Sequence, residues 1–104
     1  MKKVLFICGK ARQRSPTAAQ IFAGEFETDA AGLSNDAEVP LSPEQIDWAT
    51  HIVVMEKIHT SRLRRKFSKL VSGRRIICLD IGDKYSFMEP KLVDLLNSRV
   101  SRVK

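Results

Sequence analysis

The chain is predicted to be α/β, a doubly wound sandwich around a four-stranded parallel sheet, and three observations carry that reading. Four short strand-like runs, at 3–8, 27–31, 51–55 and 75–79, alternate with four stretches of helical period. The first and third runs are continuously apolar rather than alternating, which suits strands buried on both faces. Ser15-Pro16 and Ser42-Pro43 each set a capping Ser before a first-turn Pro, and Pro90 opens the last helical stretch. With ordinary connection lengths each strand–helix–strand unit crosses over right-handed, so the sheet is parallel.

Taken in order, K-V-L-F-I-C at 3–8 makes a central strand. The helix opened by Ser15-Pro16 turns Ala18, Ala19, Ile21, Phe22 and Phe26 inward. Residues 27–31 form a second strand ending at Gly32, and the Asn35-Asp36-Ala37-Glu38 stretch is a polar loop. Ser42 caps a second helix that reaches Trp48, and the third strand follows at 51–55. A third helix over 59–71 presents Arg62, Arg65, Lys66 and Lys69 on one face and Leu63, Phe67 and Leu70 on the other, and Gly73 stops it. After the fourth strand and a loop rich in acids and aromatics, Leu92, Leu95, Leu96, Val100 and Val103 keep the helical period.

A length of 104 residues, 43% apolar, fits one domain over 1–104, and nine Gly plus Pro exclude collagen-like or low-complexity readings. The net charge of +6 favours anionic partners but does not choose among phosphate esters, nucleic acids and acidic membranes. It is polarised: residues 15–56 hold eight carboxylates and no Lys or Arg, whereas 57–75 hold eight basic residues and no acid. That basic stretch reads either as a solvated helix face or as a docking surface for anions. Two cysteines seventy residues apart exclude a disulfide scaffold and suit a reducing cytoplasm. The apolar run at 4–8 is too short for a secretory signal or a membrane span, so no membrane is expected. No metal-ligand spacing, G-x-G-x-x-G or Walker loop is present, and no cofactor or metal is expected. His51 and His59 are given solvated or capping roles and no catalytic one.

The chemistry concentrates in the loop C-G-K-A-R-Q-R-S-P, where a strand-end cysteine is followed after five residues by Arg14 and a Ser-Pro helix start. A lone cysteine ending an apolar strand is ordinarily an inert thiol, and only this spacing marks Cys8 as a nucleophile. A loop wrapping onto a helix N-terminus aims backbone N–H groups inward and seats a tetrahedral dianion, and the same field favours a thiolate. The planar fork of Arg14 suits two phosphoryl oxygens at once, and Ser15 is placed to donate to the sulfur. In open α/β sheets the crevice beyond the strand ends is where ligands bind, and this loop borders it.

Here the chain resembles the low-molecular-weight protein tyrosine phosphatases, more closely a short branch described as predicted tyrosine phosphatases. The resemblance rests on L-F-I-C-x5-R-S-P-T-A-A-Q-I-F, on A-A-G after the second strand, on M-E-K-I-H with the basic helix, and on L-D-I-G-D-K-Y-S-F-M-E-P-K-L-V-D-L-L. It implies a flavodoxin-like fold of strand order 2-1-3-4 and phosphomonoester hydrolysis through a phosphocysteine, without metal. Carried over, Cys8 is the nucleophile, Arg14 the phosphate clamp and Ser15 the hydroxyl supporting the thiolate. Gly9, Lys10, Ala11, Arg12 and Gln13 complete the phosphate seat. Asp83, in the Asp83-Lys84-Tyr85 segment that answers to the family's Asp-Pro-Tyr, is the general acid, taken ahead of Asp80. Tyr85 lines the entrance. The implied substrate is a phosphotyrosine protein or a small aryl phosphate, with inorganic phosphate as product.

Three departures bear on that expectation. Lys10 and Ala11 stand where the family has Gly and Asn, and Ala at positive φ costs about 1 kcal/mol or more. Gln13 replaces a second cysteine, and Cys78, on a predicted strand, reads as a core residue rather than a redox partner. Lys84 replaces the Pro of the acid segment, loosening that loop. The alternatives are therefore a phosphate- or phosphopeptide-binding module of the same fold with little turnover, and a nucleic-acid binder supported by charge alone. Thiol-linked arsenate reduction lacks resolving thiols. The short stretch 33–41 implies an open cleft of low selectivity.

Overall fold

In the computed structural model, which describes residues 1–104, four parallel strands stand in the order β2-β1-β3-β4. They are β1 (Lys3–Cys8), β2 (Glu27–Gly32), β3 (His51–Val54) and β4 (Ile76–Cys78). The helices are α1 (Arg14–Ile21), α2 (Pro43–Trp48), α3 (Lys57–Lys66), α4 (Ser68–Val71) and α5 (Pro90–Arg99), the last running into a 3-10 turn, Val100–Arg102. No helix is long and apolar enough to cross a membrane.

The unbroken apolar run of β1 is explained by burial on both faces. Val4, Phe6 and Cys8 point into one core with Phe22 beside α1 and Leu92 and Leu96 of α5. Leu5 and Ile7 point into the other, with Ile46 of α2, Leu63 of α3 and Val71 of α4. Alternate residues of one strand thus feed two layers, which is what a doubly wound sheet requires. Ser42 caps α2 as read: its Oγ accepts from the Gln45 N–H at 3.2 Å, and Gln45 Oε1 accepts from the Ser42 N–H at 3.0 Å.

Two expectations need correction. Ser15 is not the cap of α1, because the helix begins at Arg14 and its first turn closes on the Gln13 carbonyl, which accepts from Thr17 N–H at 3.0 Å and Thr17 Oγ1 at 2.6 Å. That leaves the Ser15 hydroxyl free to face the sulfur of Cys8. The third helix starts at Lys57 and is broken at Phe67 (φ −131°, ψ 42°) into α3 and α4. The break turns Val71 into the core and leaves Leu70, read as inward, 40% exposed.

The register sets Cys8 opposite Gly32 and Ile7 opposite Val54, so the carboxyl ends of three adjacent strands finish together. The chain leaves β1 for β2 on one side and crosses to β3 on the other. That reversal opens a crevice beyond Cys8.

Candidate active site

The loop between β1 and α1 is shaped by what its carbonyls bond. Leu33 N–H donates to Cys8 O at 3.0 Å, Ser34 N–H to Gly9 O at 2.9 Å and Glu38 N–H to Lys10 O at 3.1 Å. In a planar trans peptide the next N–H points opposite the carbonyl, so tying these three carbonyls to the 33–38 loop turns the N–H groups of Gly9, Lys10 and Ala11 the other way. Successive amides so aligned form an anion-binding concavity. Ala11 sits at φ 57°, the left-handed conformation foreseen for it, and its N–H donates to Cys8 Sγ at 3.2 Å.

Gly32 makes this arrangement possible. A Cβ there would lie 2.8 Å from Gly9 O and 2.9 Å from Lys10 C, both backbone, and 2.6 Å from Ala37 Cβ. Strand and loop therefore touch at a distance that only glycine allows. Salt bridges reinforce the contact: Lys10 Nζ lies 2.7 Å from Asp36 and Arg12 Nε 3.6 Å from Glu38. Lys10, the departure from the family pattern, is thus held by a carboxylate of the neighbouring loop.

Cys8 is buried, and Ser15 Oγ lies 3.0 Å from its sulfur and 3.5 Å from Ala31 O. With Ala11 N–H, the hydroxyl supplies a second polar contact to Sγ. Arg14 is also buried, and its Nη1 donates to Glu56 Oε2 at 2.6 Å and to Ile81 O at 2.7 Å. Those two bonds use one end of the guanidinium, so the edge formed by Nε and Nη2 keeps its donors for another group. Asp83 Oδ1 lies 3.8 Å from Nε.

Cys8, Gly9, Lys10, Arg12, Gln13 and Arg14 share one cleft of about 410 Å³ with Asp83, Lys84, Tyr85 and Ser86. This is within the size range of small-molecule sites. Ala11 and Ser15 bear on the sulfur from the protein side rather than lining that cleft. The loop carrying Asp83 is anchored despite Lys84 standing in for Pro. Ile81 N–H donates to Met55 O at 2.7 Å, Met88 N–H donates to Thr17 Oγ1 at 2.9 Å, and Arg14 holds the Ile81 carbonyl. Lys84 Nζ stands 6.0 Å from the ring centroid of Tyr85.

Asp80 is not brought into the cleft. Its carboxylate accepts from Cys78 Sγ at 3.4 Å and Arg102 Nη1 at 3.1 Å, bonds that hold it below the ordinary carboxylate range, and Arg99 holds its carbonyl. Cys78, on β4, is half-buried, and burial pushes its thiol up. No three His, Cys, Asp or Glu side chains come together as a metal site.

One residue of this site escapes sequence reading: Glu56, for which an acid directly after a buried strand that neighbours β1 is the available signal. His59 takes the capping one of its two expected roles, and is buried rather than solvated: its Nδ1 accepts from Glu56 N–H, at the N-cap of α3, at 3.2 Å, and its Nε2 faces Glu56 Oε2 at 3.7 Å. Burial and the nearby Arg14 charge lower its pKa to about 4. A neutral His59 thus backs the carboxylate that holds Arg14.

No family model and no curated protein sequence matches the chain. Solved structures do: the fold is that of the low-molecular-weight protein tyrosine phosphatases. The YwlE arginine phosphatase of Geobacillus stearothermophilus superposes with a TM-score of 0.74 at 22% identity, over 99% of this chain and 90% of that one. The tyrosine phosphatase Wzb of Escherichia coli K30 gives 0.73 at 15%, over 99% and 96%. SP-PTP, a low molecular weight protein tyrosine phosphatase of Streptococcus pyogenes, gives 0.72 at 13%, over 100% and 94%. At these identities the likeness establishes the fold.

Proposed function

We propose that this chain is a cysteine-dependent phosphomonoester hydrolase of the protein tyrosine phosphatase kind, acting through a phosphocysteine on Cys8. The observation that carries the reading is the convergence of Ala11 N–H and Ser15 Oγ on Cys8 Sγ, in one cleft with Arg14 and Asp83.

The phosphoryl group sits on the amides of the 9–11 turn and on the Nε–Nη2 edge of Arg14, which holds two equatorial oxygens. The Cys8 thiolate attacks phosphorus; the S–P bond forms as the P–O bond to the leaving group breaks. Asp83, as the carboxylic acid, gives its proton to the departing oxygen. In the second step the Asp83 carboxylate takes a proton from water, whose oxygen attacks phosphorus. The S–P bond then breaks, inorganic phosphate leaves, and the Ser15 hydroxyl steadies the returning thiolate. Tyr85, at the cleft rim, offers an aromatic face to an aryl phosphate.

Phosphoarginine is a second substrate reading, favoured by the structural likeness to the arginine phosphatase of Geobacillus stearothermophilus. The same thiolate attack would break a P–N bond, with Asp83 protonating the guanidine. Purified wild type and Cys8→Ser are assayed on p-nitrophenyl phosphate, phosphotyrosine and phosphoarginine with reductant. Turnover by wild type alone supports the mechanism, and the ratio of the two amino-acid phosphates assigns the class. Folded wild type that binds phosphate without turnover returns the chain to a phosphate-binding module, with Ala11 at positive φ as the reason.

A further inference from the structure

A second pocket, of about 400 Å³, lies between the loop after β2 and α3, lined by Leu33, Ser34, Asn35, Arg62, Arg65 and Lys66. Three of its six residues are cationic and none is acidic. Lys66 is fixed there: its Nζ donates to Leu33 O at 3.3 Å and to Asn35 Oδ1 at 3.2 Å. Arg62 and Arg65 have no carboxylate within ion-pair distance. Two unpaired guanidiniums beside an anchored ammonium form a receptor for anions.

The position of this pocket says what kind of anion. Ser34 lines it and Gly9 lines the Cys8 cleft, and the two are joined by the 2.9 Å bond from Ser34 N–H to Gly9 O. The linings of the two pockets are thus joined by one backbone hydrogen bond. The acids of the 33–38 loop, Asp36 and Glu38, are already paired with Lys10 and Arg12, so the charge left open on this side is positive. No aromatic lines the pocket, and Phe67, next to Lys66, is half-buried against the core with Lys66 Nζ 5.9 Å from its ring, so no exposed ring is offered for bases to stack on. Carboxylates match the fork of Arg and need no such platform.

We propose that Arg62, Arg65 and Lys66 form a docking subsite for carboxylate side chains flanking the phosphorylated residue, so that the preferred substrate is an acidic phosphoprotein segment. This rests on the phosphatase reading above and names its substrate class.

The test uses the full chain, wild type and an Arg62→Glu/Arg65→Glu double variant. The substrates are p-nitrophenyl phosphate and two phosphotyrosine peptides identical except for flanking Glu or Gln; binding of a fluorescein-labelled, unphosphorylated Glu peptide is measured in parallel. The expected result is a KM about fivefold to tenfold lower for the Glu-flanked peptide, lost in the double variant while p-nitrophenyl phosphate turnover is unchanged. Equal KM for both peptides, with p-nitrophenyl phosphate hydrolysed normally, overturns the docking subsite and leaves the phosphatase reading standing. No turnover of any substrate, with Glu-peptide binding that the double variant loses, overturns the phosphatase reading and supports the subsite. Displacement of the Glu peptide by a single-stranded RNA at lower concentration than by the Glu peptide itself overturns it in favour of nucleic acid.

Discussion

Arg14 and Glu56 are joined by a 2.6 Å bond from Nη1 to Oε2, between the first turn of α1 and the residue two positions after β3. This contact, with the Ile81 carbonyl at 2.7 Å, fixes one end of the guanidinium so that the other end is presented to the cleft. Glu56→Gln keeps an acceptor but removes its charge, and is expected to lower kcat/KM for p-nitrophenyl phosphate by about tenfold. Glu56→Ala leaves a buried cation without its carboxylate. Because Glu56 is 36% exposed, the expected stability loss is only about 1–2 kcal/mol, read from urea midpoints.

Ser15 Oγ lies 3.0 Å from Cys8 Sγ, and in the proposed mechanism it steadies the sulfur as the S–P bond breaks. Ser15→Ala is expected to reduce kcat by about tenfold through the second step. Rapid-mixing assays should then show a larger burst of p-nitrophenol followed by a slower steady state. A loss without any burst would place the hydroxyl in the first step instead.

Asp83, 67% exposed at the cleft and 3.8 Å from Arg14 Nε, is assigned the proton of the leaving group. Asp83→Asn should slow phenyl phosphate hydrolysis by about a hundredfold or more and p-nitrophenyl phosphate by about tenfold or less, since a good leaving group needs little help. Asp80→Asn should leave both rates close to wild type, because Asp80 is engaged by Cys78 and Arg102 outside the cleft.

His59 makes acid stability a property of the site. Its folded pKa is lowered from 6.5 to about 4, so between those values the unfolded chain binds a proton that the folded chain does not. Stability is therefore retained above pH 6.5 and falls as pH drops from 6.5 towards 4, by about 3 kcal/mol at most. Urea midpoints of wild type should decline over that window. His59→Gln should flatten the decline whatever its own midpoint at neutral pH.

Most of the sheet could be read from the sequence because its determinants are local. The continuous run of β1 and the Ser42-Pro43 start of α2 need no partner to be recognised, and the C-x5-R-S-P spacing by itself points to the loop that brings Cys8, Arg14 and Ser15 together. What could not be read depends on contacts between distant residues. Glu56 is 42 positions from Arg14, and becomes its partner only because β3 lies beside β1, where Met55 N–H donates to Ile7 O at 3.2 Å. The break at Phe67 is likewise decided by which of Leu70 and Val71 the core accepts. Ser-Pro is the usual signature of a helix cap at Ser15, but the helix begins two residues earlier than that signature implies, at Arg14, and the hydroxyl meets the sulfur.

In the proposed mechanism Cys8 is phosphorylated during turnover. That is read by an acid quench of Ser15→Ala within its burst on p-nitrophenyl phosphate, followed by peptide mass mapping. One phosphoryl group is expected, on the peptide containing Cys8, absent from a Cys8→Ser/Ser15→Ala control. Turnover with no phosphoryl group on the protein, or with one on a residue other than Cys8, would contradict it.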